Sequence, residues 1–147
     1  ARFIAENSAP SFGSGSGAVA IDKSKPIYKI AVTFQHYSTL IGYMDMLVGA
    51  GLMDDSYRDT WIVSLFDLMV CADFIESEDE FIEYLELHKT LYSNHSTFND
   101  ELDVLNGFLN EDLARKVKPG KPIMLAGGAE EIDKEYYQNM EIPMAKA

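Results

Sequence analysis

Apolar and polar positions follow two rhythms along these 147 residues. Short runs of β-branched and aromatic residues between proline or polar clusters mark strands, and apolar residues three and four apart mark helices. "PIYKIAVTFQ", opened by Pro26, predicts a buried strand. "STLIGYMDMLVGAGL" then has helical spacing, with Ser38 or Thr39 able to cap it and Gly49 and Gly51 able to stop it. After the polar connection "MDDSYRDT", "WIVSLF" predicts a second strand, and Asp67 is placed to cap a short helix over "LMVCADFI".

The strongest local signal is "SEDE". Ser77 and Glu80 have capping-box spacing, and acidic residues crowd the first turn, where the helix dipole favours them. Phe81, Tyr84, Leu85, Leu87 or His88, Leu91 and Tyr92 carry the apolar face to Ser93. "NHSTFN" reads as a loop. A helix from about Asp100 follows, with Leu102, Leu105, Phe108, Leu109 and Leu113 as its stripe, ended by "KPGKP". "PIMLAGG" predicts a third short strand and "AEEIDKEYYQNM" a closing helix.

The resulting order, β-α-β-α-α-α-β-α, predicts an α/β fold: a small three-stranded sheet covered by four to five helices. So small a sheet invites completion by a strand from another segment or chain. Phe81, Tyr84, Leu85, Phe108 and Leu109 are expected to build the core.

Residues 1–26 break the rhythm, so the chain divides into a flexible N-terminal segment and a single α/β domain over 27–147. The tract "SFGSGSGAVA" has linker composition. Gly13, Gly15 and Gly17 are not expected to make a phosphate loop: "ENSAPSF" stands before them where the fingerprint needs a strand, Ala18 stands where a third glycine belongs, and no lysine-serine pair follows. If the first 12 residues dock back on the domain as a tethered peptide, Phe3, Ile4 and Phe12 are the anchors.

Charge narrows the function classes. Twenty-four acidic residues against twelve basic ones leave a net charge of −12, which repels phosphate backbones and disfavours direct nucleic-acid binding. The basic group Arg115, Lys116, Lys118 and Lys121 is explained by a helix C-terminus. Cys71 is the single cysteine and lies in an apolar run, so it predicts a buried thiol and no intrachain disulfide. The apolar stretches are too short for a membrane span, and no basic-then-apolar leader opens the chain. The expectation is a soluble, cytoplasmic protein.

Candidate chemistry is sparse. His88 and His95 could join carboxylates around a metal, but they lack compact ligand spacing. Asp67 and Asp73 sit inside apolar runs, where an unpaired charge is costly, so each is a candidate site carboxylate as well as a helix cap or helix-edge residue. Glu76, Glu78, Asp79, Glu80, Glu83 and Glu86 fit a solvated helix face. No cofactor is called for.

"WIVSLFDLMVCADFIESEDEFIEYLELHKTL", "FNDELDVLNGFLN" and "PIML…EEIDKEYY" together resemble a region found downstream of nuclease-like domains in some bacterial proteins, several of them linked to defence. The resemblance spans residues 61–137. Nucleases of that kind pair an acidic residue on one strand with Glu-x-Lys or Gln-x-Lys on the next. Here Gln35 is followed by Tyr37 where lysine would stand, and Glu86 has the wrong spacing to its lysine. The resemblance therefore implies an accessory region rather than a catalytic centre. Two function classes follow: a non-catalytic interaction or regulatory domain that binds a protein partner, the rest of a larger chain or further copies of itself, and, as the alternative, a small metal-assisted hydrolase using carboxylates with His88 or His95.

Overall fold

The computed structural model describes residues 11–12, 19–35 and 43–139. In chain order the elements are β1 (Ser11–Phe12), β2 (Val19–Ala20), β3 (Ile30–Thr33), α1 (Met44–Gly49), a 3-10 turn (Asp55–Tyr57), β4 (Trp61–Ser64), α2 (Leu65–Phe74), α3 (Glu78–Ser93), β5 (Thr97–Phe98), α4 (Glu101–Glu111), α5 (Leu113–Lys116), β6 (Met124–Leu125) and α6 (Ala129–Asn139). The α/β class holds, but the predicted three-stranded sheet does not form. β3 and β4 pair in parallel with Ile30 opposite Trp61, β5 and β6 pair in parallel, and β1 and β2 pair antiparallel. Helix α3 packs on β4 while α4 packs on β5 and β6, so the two parallel pairs lie under different helices. Six α-helices rather than four to five occur among the described residues.

β4 is buried at every position and runs into α2 without a connecting residue. The strand expected over "WIVSLF" is thus cut at Ser64, which is both strand end and helix cap. Its hydroxyl accepts from the Asp67 N–H at 3.1 Å and donates to Asp67 Oδ2 at 2.7 Å. Asp67 is therefore not the cap expected from the sequence. It is the third helical residue, and its carboxylate reaches back to the serine that caps.

The box at Ser77 forms as expected. Ser77 Oγ accepts from the Glu80 N–H at 3.2 Å, and Glu80 Oε2 accepts from the N–H groups of Ser77 and Glu76. Tyr84, Leu85, Leu87, His88, Leu91 and Tyr92 turn inward, while the acidic run from Glu76 to Glu86 faces outward. Asp100 caps α4 through the Leu102 N–H at 2.9 Å. The single helix expected through Leu113 is divided at Asp112, whose left-handed φ of 55° ends α4 and starts α5. Leu109, expected in the core, is exposed because the inward face of α4 runs through Leu102, Leu105 and Asn106.

The expected loop "NHSTFN" contains β5. Two residues are too few to show alternation, and the strand is held from outside: Ile123 O accepts from the Thr97 N–H at 3.0 Å and Ser96 Oγ from the Ile123 N–H at 3.2 Å. Of the helix expected over 38–52, the described part is Met44–Gly49, stopped at Gly51 with φ 71°. Ser38, Thr39 and the glycines of the Gly/Ser tract lie outside the described residues.

The closing helix α6 is tied to α4 by a side chain rather than by its own cap. Asp103 Oδ1 accepts from the N–H groups of Gly128 and Ala129 at 2.8 and 3.0 Å. The approach is close enough that a Cβ on Gly128 would stand 2.7 Å from Asn106 Cβ. Gly128→Ala is therefore expected to destabilise the fold by about 1–3 kcal/mol through overpacking. Gly49→Ala, where a Cβ meets nothing within 4 Å, should stabilise it by about 0.5–1 kcal/mol. Urea denaturation of the two variants beside the parent measures both.

Candidate functional site

The densest polar chemistry lies inside the core. Trp61 enters from β4, Cys71 from α2, Tyr84 and His88 from successive turns of α3, and Glu101 from the first turn of α4. Glu101 Oε1 accepts from the Tyr84 hydroxyl and from His88 Nε2 at 2.7 Å, and Oε2 accepts from Trp61 Nε1 at 3.0 Å. Cys71 Sγ lies 3.9 Å from the Tyr84 oxygen and donates to it, extending the chain of bonds by one group. His88 stacks on Trp61 at a centroid distance of 5.0 Å and meets the rings of Tyr84, Tyr92 and Phe98 edge-on. Its Nδ1 has no hydrogen-bond partner in this box.

The centre is closed. Tyr84 is 0%, His88 1%, and Trp61 and Glu101 each 2% exposed, so a substrate has no route to it. Burial pushes the Cys71 thiol well above its ordinary pKa, and the Glu101 charge adds to the shift, keeping the sulfur protonated and unreactive. Burial also raises the hydroxyls of Tyr84 and Tyr92, with Glu101 contributing to both. What the arrangement can do chemically is hold β4, α2, α3 and α4 in one geometry. A buried carboxylate needs its lone pairs filled, and this placement of the elements supplies three donors.

The other candidates are scattered. Asp67 is buried beside Ser64. Asp73 is exposed near the end of α2, and its bond to the Tyr136 hydroxyl joins burial in raising that hydroxyl's pKa. His95, with φ 55°, is exposed and places Nδ1 2.8 Å from Asp45 Oδ2, while the Arg58 guanidinium meets the other Asp45 oxygen. These three side chains line a surface cleft of about 90 Å³ with Tyr92, Ser96 and Thr97. His88 and His95 thus belong to separate contacts, and among the described residues no three His, Cys, Asp or Glu side chains are arranged to hold a metal ion. Phe3 and Ile4 lie outside the described residues, and Phe12 is opposite Val19 in the β1–β2 pair.

Neither Glu101 nor Trp61 is marked by the sequence as part of a polar centre. Glu101 carries the usual mark of a dipole-favoured first-turn residue, and the fact that it faces inward depends on Trp61, forty positions earlier. The one local signal is the pair Tyr84 and His88 at i and i+4 on an apolar face, two polar tips that require a shared partner.

No protein-family model, curated protein or solved structure matches this chain. No helix among the described residues is long and apolar enough to cross a membrane.

Glu101→Ala is expected to destabilise the fold by about 3–5 kcal/mol, because it strands three buried donors. Tyr84→Phe, which removes one bond to a charged group, should cost about 1.5–3 kcal/mol. Fluorescence of Trp61, the single tryptophan, reports both in urea titrations. Cys71 should react with a thiol reagent only as fast as the native chain opens, which a labelling time course across denaturant concentrations checks.

Proposed function

We propose that the chain is a non-catalytic interaction domain, an accessory or regulatory part of a larger bacterial protein or assembly working in the cytoplasm. Its partner is a basic protein surface of the kind that nucleic-acid-handling enzymes carry. One contrast supports this reading above the others: the polar chemistry of the fold is enclosed around Glu101, while the excess negative charge is worn outside. Glu78, Asp79, Glu80, Glu83 and Glu86 on α3, and Glu130, Glu131, Asp133 and Glu135 on α6, are all exposed. A net charge of −12 on such a surface steers cationic partners toward it and repels nucleic acid.

The test begins with crosslinking in a bacterial lysate and purification of the captured protein. Association of the two purified proteins should then slow at least about tenfold between low and moderate salt, as expected for steered encounter. Binding that ignores salt, or a captured protein that fails to rebind when pure, overturns the proposal. So does a rise in melting temperature with Mg²⁺, Mn²⁺ or Zn²⁺ accompanied by hydrolytic activity, which would return the metal-assisted hydrolase to first place.

A further inference from the structure

Helix α3 and the stretch from α5 to Pro119 border a groove of about 190 Å³. Leu87, Ala114 and Val117 give it an apolar lining, joined by Thr90 and Pro119, and among the described residues its charged lining is Glu83 and Glu86. These two carboxylates are three positions apart and share one side of α3. Glu86 accepts from the Tyr28 hydroxyl at 2.6 Å and from Lys89 at 3.1 Å, and those bonds, the tyrosine's foremost, hold its carboxyl below the usual range. The Glu83 carboxylate makes no hydrogen bond or ion pair with any described residue. It has Asp79 four positions before it and Glu86 three after, like charges at helical-neighbour spacing that a cation would relieve. Arg115, Lys116 and Lys118 are near in sequence, but none lines the groove, and Arg115 lies 3.6 Å from Asp112.

We propose that this groove receives an arginine side chain of the basic partner, an assignment that rests on the function proposed above. The aliphatic stem lies along Leu87, Ala114 and Val117, and the guanidinium pairs with the Glu83 carboxylate in the field of Glu86. An apolar lining beneath a carboxylate that has no partner among the described residues matches a side chain that is apolar along its length and cationic at its tip. Arginine fits better than lysine because its planar head makes two parallel bonds to one carboxylate and gives up its hydration more readily. A second copy of this chain is the poorer occupant, since two surfaces of charge −12 repel each other.

The probe is N-acetyl-arginine N-methylamide, titrated into the full chain while the methyl signals of Leu87, Ala114 and Val117 are followed by NMR. Saturable shifts in the millimolar range are expected, with none from the uncharged citrulline analogue. Glu83→Gln, at an exposed position that leaves the fold intact, should raise the midpoint at least about threefold. Equal shifts from citrulline, no shift from the arginine probe, or an unchanged midpoint in Glu83→Gln overturns the assignment. The partner's salt-dependent association reads the whole acidic exterior, so the groove assignment and the interaction reading can fail separately.

Discussion

The three hydrogen bonds accepted by Glu101 are the constraint on which the rest of the architecture depends. A buried carboxylate is tolerated only where its lone pairs are filled, and here the donors come from a strand and a helix that precede it in the chain. Trp61 pins β4, Tyr84 and His88 pin α3, and Cys71 brings in α2 through the tyrosine oxygen. The aromatic rings around His88 then complete a dry shell, in which each ring both packs and screens the polar centre. Apolar side chains alone would hold these elements together but would allow α3 to rotate by a turn. Directional bonds to one carboxylate remove that freedom.

Two neighbouring acidic residues extend the same logic to the starts of α4 and α6. Asp100 caps its start and Asp103 supplies the cap that α6 lacks. Along four positions the chain spends three carboxylates on internal structure, while all five acidic residues of α3 are exposed, Glu80 closing the capping box and Glu86 meeting Tyr28 and Lys89 at the surface. Charge in this protein is thus sorted by helix. That sorting leaves a buried polar centre around Glu101 and an exterior in which exposed acidic side chains outnumber basic ones.

Local patterns show through the sequence and distant pairings do not. The Ser77–Glu80 box, the Asp100 cap, the buried Cys71 and the outward acidic run are legible because each depends on residues within a turn or two. β5 was not legible, since a two-residue strand has no period and takes its definition from Ile123 and Met124. Helix α2 is capped three residues earlier than the sequence suggests, because Ser64 and Asp67 both have capping chemistry, and only the burial of all of β4 shows which one ends the strand. Leu109 fits the helical stripe but lies outside it, because α4 turns polar residues inward to bond with its neighbours. The site itself stayed hidden for the same reason: Glu101 and Trp61 acquire meaning only from each other.

The span of that last pairing also governs how the chain can reach its native state. Trp61 and Glu101 are forty positions apart, and Asp103 waits for N–H groups twenty-five positions further on. During synthesis, β4, α2 and α3 leave the ribosome before the carboxylate that pairs with Trp61, Tyr84 and His88 in the native fold, so burying those three polar tips without it carries a desolvation cost. Helix α4 is therefore the element that completes the buried hydrogen-bond set of β4 and α3. A chain cut before α4 keeps most of its apolar residues yet lacks the one carboxylate that lets them shed water.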